Sequence, residues 1–407
     1  MADTLLGAGS ISLKKSKMSL FASLELSLIS VINYLRYILA PRSRKPEKMF
    51  IGAGSGLFAN NGKTMDSYYP YKEFGASTGP YWLSADFPER MLEFKRYLLE
   101  NKVVVFSFLS APLAALIDFS LRSKKYLSES VATEKLLRYL ASRNLALSLE
   151  TLERLHRSYI ARYWAFRILL APLRISEAFL VSAYTYSEVC MLMKERGINV
   201  SEIQHGLIGR THSGYNYRIK DARLPTPNRI FVYDEFWKNE LLLAGYYSED
   251  AISVTGRLKY DAISKEKPSP LKLPFVVITG QGVFTDRVIE FMKKAILDQK
   301  ERKNKCAFVY IPHPNESSDT ANAVRTALGS LSAVGKADGY TTEEYIFHSV
   351  AHVSIYSSCH FDAIHLLGKT YILDVMEGNP MADYIKSNPE AFVPITDASQ
   401  IEEIKDA

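Results

Sequence analysis

The sequence predicts an α/β protein built from two parallel-sheet domains, and three features carry that expectation. Short β-branched or aromatic runs recur along the chain, each followed by a helical pattern, the signature of parallel strands with helices on both faces. A stretch with three prolines and three lysines, SKEKPSPLKLP at 264–274, separates two such series. At 407 residues the chain is long enough for two domains of ordinary size, each with its own core.

The first series of expected strands lies at 49–52, 103–106, 178–183, 200–204, 230–233 and 252–254. The second lies at 275–279, 307–311, 351–355 and 370–373. Between about 125 and 170 the pattern is helical throughout, which marks an insertion or helical cap. These readings divide the chain into a basic N-terminal segment (1–48), a first domain (49–267) and a second domain (268–407).

Composition narrows the function. Hydrophobic residues make up 47% and charged residues 23%, so wholesale disorder is excluded. The three cysteines, Cys190, Cys306 and Cys359, form no metal or disulfide spacing and suit a reducing compartment. Residues 1–48 hold eight Lys/Arg and three acids, a net +5 of the chain's +6. The rest is nearly neutral, which argues against a nucleic-acid partner.

Residues 18–40 are strongly apolar, with a polar stripe of Ser19, Ser23, Ser27, Ser30, Asn33 and Arg36 at helical spacing. Phe21, Leu24, Leu28, Val31, Leu35 and Ile38 occupy the other face. Glu25 and Arg36 disfavour a membrane-spanning helix, and no small-residue cleavage site suggests a signal peptide. Such a helix either packs on its own domain or lies on an anionic membrane leaflet.

In open parallel sheets, ligands sit beyond the carboxyl ends of the strands. Here those positions hold Gln204, His205 and Gly206; Asp234 and Glu235; Gly280, Gln281 and Gly282; His313, Pro314 and Glu316; and Ser357 and Ser358. Each has a plain structural alternative. His205 or His313 can bond a loop carbonyl, Asp234 or the serine pair can cap a helix, and Gly280-Gln281-Gly282 can be only a tight turn. The functional reading gathers all five sets around one ligand. Gly280 and Gly282 would admit a phosphate to the backbone, Ser357 and Ser358 would offer hydroxyls and N–H groups at a helix N-terminus, His313 would donate, and Glu316 would accept from ribose. No Asp-x-Asp pair is present, so the expectation is metal-independent neutralisation with no cofactor. The glycine run at 52–56 is not followed by a convincing helix and does not make a dinucleotide fingerprint. Tyr68, Tyr69, Tyr71, Tyr81 and Trp82 either stack on a sugar or belong to the core. His348, His352 and His365 are expected to pack or solvate helices.

With the runs SEIQHGLIGRTHSGY, IFVYDEFWK, ISVTGRLKYD, VYIPHPNE and VSIYSSCHFDAIHLLGKTYIL, the chain resembles the two-Rossmann-domain (GT-B) glycosyltransferases of bacterial capsule, O-antigen and lipopolysaccharide assembly. These include the CMP-dependent β-Kdo transferases (Kdo is a 3-deoxy-octulosonic acid) and bacterial sialyltransferases. The likeness covers roughly residues 49–375. It implies a GT-B fold with a cleft between its domains, and CMP binding at His313-Pro314 and Ser357-Ser358. It also implies a CMP-sugar donor, a lipid-linked oligosaccharide acceptor and a cytoplasmic enzyme in peripheral contact with the inner membrane. The segments GLFANNGK and PYWLSAD are similar to CDP-glycerol glycerophosphotransferases, so transfer of glycerol or ribitol phosphate is the rival reading. A non-catalytic scaffold in polysaccharide assembly is a third.

Many CMP-sugar enzymes carry an acidic-acidic-glycine triplet where this chain has Gln204-His205-Gly206. The expected roles are therefore Asp234 as nucleophile or base, the nucleophile in a retaining reaction, and His205 as a positioning or proton-exchanging group.

Overall fold

The computed structural model describes residues 20–39, 47–60, 63–66, 68, 79–85, 88–123, 131–142, 147–206, 208, 212, 214–217, 224–256, 263, 267–302, 306–313, 316, 318–328, 332–337 and 340–404. The chain divides into two compact units, Met1–Leu258 and Lys259–Ala407, so the division falls ahead of the proline-rich stretch.

Unit 1 is organised on seven strands: β1 (Glu47–Ala53), β4 (Tyr81–Ser84), β5 (Val104–Val105), β6 (Ile175–Val181), β7 (Asn199–Ile203), β8 (Arg229–Val232) and β9 (Ile252–Val254). They form one sheet in the order β5-β4-β1-β6-β7-β8-β9, and every pairing is parallel. A separate antiparallel pair, β2 (Leu57–Asn60) and β3 (Lys63–Asp66), follows β1. The helices are α1 (Leu20–Leu39), α2 (Pro88–Glu93), α3 (Lys95–Glu100), α4 (Ser107–Leu121), α5 (Val131–Ser142), α6 (Leu149–Leu170), α7 (Ser187–Glu195) and α8 (Glu235–Ala244). Separate apolar clusters lie against the two faces of the sheet. Met49, Ile51 and Leu180 belong to one, and Phe50, Leu83 and Phe179 to the other. This double burial explains why the central strands read as unbroken apolar runs.

Unit 2 carries β10 (Phe275–Thr279), β11 (Ala307–Ile311), β12 (Ser332–Val334), β13 (Ala351–Ser354), β14 (Thr370–Leu373) and β15 (Phe392–Ile395). Their order is β12-β11-β10-β13-β14-β15, again wholly parallel. The helices are α9 (Thr285–Arg302), α10 (Ser318–Leu328), α11 (Thr342–His348), α12 (Cys359–Leu367) and α13 (Ala382–Ser387). All ten predicted strands form, within a few residues at their ends. β4, β12, β15 and the β2–β3 pair were not predicted.

The first helix forms almost where its pattern places it, but it packs with the other side inward. Ala22, Leu26, Ile29, Ser30 and Asn33 are buried, whereas Leu24, Leu28, Val31 and Leu35 of the predicted apolar face are exposed. The polar stripe is drawn in because it has carbonyls and an amide to satisfy. Asn33 Nδ2 donates to the Leu98 and Val103 carbonyls at 3.0 and 2.7 Å. Ser30 Oγ donates to the Leu26 carbonyl (2.7 Å) and accepts from the backbone N–H of Val105 (3.2 Å), in the outermost strand of the sheet. Asn33→Leu removes both buried bonds, each worth about 0.5–1.5 kcal/mol net, while the Leu98 carbonyl keeps the Val103 N–H at 2.8 Å. A loss of about 1–3 kcal/mol in denaturant unfolding is expected, and a loss near zero would remove Asn33 from this role.

Unit 2 contains a buried polar network that joins three strands. His352 Nε2 pairs with Thr279 Oγ1 at 2.9 Å, and its Nδ1 pairs with Thr370 Oγ1 at 2.8 Å. His360 Nδ1 reaches the same Thr370 hydroxyl at 2.8 Å. His360 Nε2 is enclosed with no partner at hydrogen-bonding distance. Burial lowers both imidazoles, His360 to about 3, with the nearby Ile355 carbonyl opposing slightly; His360 adds to the lowering of His352. Both rings are thus neutral in the fold, whereas unfolded histidines titrate near 6.5. Between about pH 6.5 and 3 the unfolded chain binds more protons, so this contribution to stability is complete above pH 6.5 and falls on acidification. His360→Leu is expected to flatten the acid-side slope of stability against pH by up to about 1.4 kcal/mol per pH unit. An unchanged slope would show that His360 is not the group being protonated.

Candidate functional site

The strand order of unit 2 decides where a ligand can enter. From β10 the chain steps outward to β11 and β12, then returns to β13 on the opposite side of β10. The order therefore reverses between β10 and β13, and loops leaving the carboxyl ends of such neighbours diverge to frame a crevice. The three loops at this point carry Gly280–Gly282, Pro312–Glu316 and Tyr356–Ser358. Sheet topology thus brings together the predicted glycines, His313 and the serine pair. Pro314 lies outside the described residues.

Much of the polar chemistry in these loops holds the loops themselves. Glu316 accepts from the Tyr310 hydroxyl at 2.6 Å with one oxygen and from the backbone N–H of His313 at 2.8 Å with the other. These two bonds give Glu316 a loop-fixing role. Gly280 is required by the same arrangement, because a Cβ there would lie 2.2 Å from the Tyr310 hydroxyl and 2.7 Å from Glu316 Oε2. Tyr310 and Glu316 thus explain this glycine without invoking a phosphate. Gly282 has φ +71°, a left-handed value that suits glycine. Gln281 Nε2 turns back to the Gly280 carbonyl at 2.9 Å. His313 is half-buried, and burial lowers its imidazole against the opposing pull of Glu316.

The serine pair is split in function. Ser357 is buried, and its hydroxyl accepts from the Cys359 N–H at 3.2 Å, so it closes the first turn of α12. The next two amides bond backward to the Ser357 and Ser358 carbonyls. Ser358 is exposed at the N-cap and its side chain makes no capping bond. Of the two hydroxyls predicted here, that of Ser358 belongs to the exposed residue.

Unit 1 places a second cluster where β6, β7 and β8 end side by side. Gln204 is buried, and its side chain links two loops: Nε2 donates to the Gly206 carbonyl and Oε1 accepts from the Tyr233 N–H, both at 2.9 Å. The Tyr233 hydroxyl returns to the Gln204 carbonyl at 2.7 Å. Gln204 is therefore committed to the fold. Gly206 has open space where a Cβ would stand.

His205 is largely enclosed. Its Nε2 lies 3.2 Å from the Tyr184 hydroxyl, and Nδ1 is buried without a partner. Burial, with His212 adding, lowers this imidazole to about 4, so it is neutral near pH 7. That corrects the expectation of an imidazole titrating near neutrality. Tyr184, His212 and Tyr215 pack as a ring cluster with centroids 5.0–5.7 Å apart. The Tyr215 hydroxyl donates to buried Glu202, whose carboxyl is pushed up to about 8 by burial, against that hydrogen bond. His212 Nδ1 accepts from the Gly214 N–H at 3.0 Å, which leaves the proton of the neutral ring on Nε2.

Tyr184, His212, Tyr215 and Glu202 were not singled out from the sequence. The last three lie within the SEIQHGLIGRTHSGY run, where aromatic and acidic residues around His205 were the available signal. Tyr184 had no signal. Tyr81 and Trp82 are buried strand residues of the core, and the Tyr81 hydroxyl bonds Asp66 at 2.6 Å. Tyr69 and Tyr71 lie outside the described residues. Tyr68 donates to the His205 carbonyl at 3.3 Å. Among the described residues, no three His, Cys, Asp or Glu side chains are grouped as a metal site.

Asp234 caps α8. Its Oδ1 accepts from the Trp237 N–H at 3.3 Å, and the helix ends on left-handed Gly245. Asparagine caps as well as aspartate and alanine does not. Asp234→Ala is therefore expected to lose about 1 kcal/mol of stability while Asp234→Asn stays near wild type. Equal losses in urea unfolding would mean that the cap is not the source.

No protein-family model and no curated protein matches the sequence. Solved structures do. A UDP-N-acetylglucosamine 2-epimerase is similar over 90% of this chain and 91% of its own, with 10% identity and a TM-score of 0.50. The UDP-GlcNAc 2-epimerase from Neisseria meningitidis, bound to UDP-GlcNAc, has 14% identity over 88% of this chain and 89% of its own (TM-score 0.48). CalG4, the calicheamicin glycosyltransferase, has 9% identity over 89% of this chain and 93% of its own (TM-score 0.46). The first of these likenesses, together with the two parallel sheets, shows the fold: two Rossmann-like domains of the GT-B kind.

Proposed function

We propose that the chain is a GT-B glycosyltransferase that moves a Kdo-type ketosugar from its CMP ester to a lipid-linked glycan. The observation that carries this reading is the meeting of three loops at the strand reversal of unit 2. Those loops bear the glycine pair, His313 and Ser357-Ser358, the motifs whose resemblance points to cytidylate.

The chemistry required is modest. The bond between the anomeric carbon and the phosphate oxygen breaks, CMP leaves with the electron pair, and the sugar passes through an oxocarbenium-like state. The leaving phosphate needs hydrogen-bond donors. In this proposal the Ser358 hydroxyl at the start of α12 and the His313 imidazole supply them, helped by the helix dipole. On the acceptor side, the acceptor hydroxyl oxygen bonds the anomeric carbon and Asp234 takes its proton; in a retaining reaction Asp234 instead bonds that carbon first and is displaced by the acceptor oxygen, whose proton leaves to solvent. His205, enclosed and neutral, acts as a positioning residue that holds the Tyr184 hydroxyl.

Ligand-dependent unfolding separates this reading from its rivals. CMP is expected to raise the unfolding midpoint, with about 2.7 kcal/mol of stabilisation at a hundred times Kd, and Ser358→Ala should reduce that gain. Stabilisation by CDP-glycerol or UDP-GlcNAc but not by CMP would overturn the donor assignment. With a CMP-ketosugar donor, Asp234→Asn should keep CMP binding and lose at least about a hundredfold in turnover. Unchanged turnover would exclude Asp234.

A further inference from the structure

We propose that the outward face of α1 is a seat on an anionic lipid bilayer. The inward packing of the polar stripe leaves Leu24, Leu28, Val31, Ile32, Leu35 and Leu39 on the surface, with Leu24 and Leu28 each 61% exposed. Their spacing of three and four runs the length of the helix, so they form one continuous apolar stripe. α4 packs alongside α1, and it exposes Leu116 and Phe119, each 69%.

The segment 22–39 is long and apolar enough to cross a membrane. Its other side, however, is bonded into the fold through Ser30, Asn33 and the Tyr34 hydroxyl, which donates to the Leu169 carbonyl at 2.8 Å. A helix held in this way can sink only its free face, which is the geometry of a helix lying in the interfacial plane.

Charge selects the occupant. Lys14, Lys15 and Lys17 precede α1, and Arg42, Arg44 and Lys45 follow it. Arg122, Lys124 and Lys125 follow α4 in the same way. A second copy docked on this stripe would set like charges against each other across a symmetric interface. An anionic headgroup layer attracts the same residues, by about 1 kcal/mol for each one near the surface.

The test is co-sedimentation of the full chain with phosphatidylcholine vesicles, with and without phosphatidylglycerol. Binding to the anionic vesicles is expected to be at least about tenfold stronger. Leu28→Asp, Leu35→Asp, and the charge reversal of Arg42, Arg44 and Lys45 to Glu should each weaken it by about tenfold or more, with unfolding midpoints unchanged. Equal binding to both vesicle types, or no binding to either, would overturn the proposal. So would a dimer in light scattering that Leu28→Asp dissociates while vesicle binding is unaffected.

Discussion

Covering both faces of a parallel sheet is the constraint from which the rest of this molecule follows. Once helices bury Met49, Ile51 and Leu180 on one side and Phe50, Leu83 and Phe179 on the other, the strands have no free face for polar chemistry. Apart from a few buried and internally bonded strand residues, such as His352 with Thr279 and Thr370 and Glu202 with Tyr215, polar groups are displaced to the loops beyond the carboxyl ends. This happens separately in each unit, and in each the order of the strands determines which loops become neighbours.

The polar residues gathered there are mostly spent on one another. Gln204 ties the loop after β7 to the one after β8, Glu316 ties Tyr310 to the loop after β11, and Ser357 closes the first turn of α12. A site whose loops are fixed before any ligand arrives loses less entropy on binding. Groups that remain at least partly exposed among the described residues include the Ser358 hydroxyl and the half-buried His313 in unit 2 and, separately, the half-buried Tyr184 in unit 1. Enclosure also sets the ionisation of the supporting groups. It keeps His205 and the His352–His360 pair neutral and raises the carboxyl of Glu202.

The parts of this architecture that were legible in sequence are those with local periodicity. Ten strands announced themselves as apolar runs, and the loops at their ends were found by position alone. β4 was hidden because Tyr81 and Trp82 are large aromatics that suit a sugar platform as well as a core. β12 and β15 are short strands at the two edges of their sheet, β12 only Ser-Ala-Val and β15 interrupted by Pro394, a residue that argues against a strand away from an edge. The β2–β3 pair had a readable sign, Asn61-Gly62 between its strands, a residue pair that favours tight hairpins. Roles were harder to read than positions. The loop-fixing bond of Glu316 depends on Tyr310, a partner six residues away, and the inward turn of Asn33 on carbonyls at Leu98 and Val103. Helical spacing identifies two faces but does not say which one the fold will claim when the polar face has amides and carbonyls to satisfy.

The distant partners of α1 also set the timetable of its burial during synthesis. Its side chains bond to groups 65, 70 and 135 residues further along the chain. At a ribosomal pace of about 5–20 residues per second, the helix emerges on the order of ten seconds before its last partner exists. Through that interval both of its sides are bare, including the one later sealed against the sheet. On the lipid-seat proposal, the face that would meet a bilayer is therefore made before the domain that will hold it.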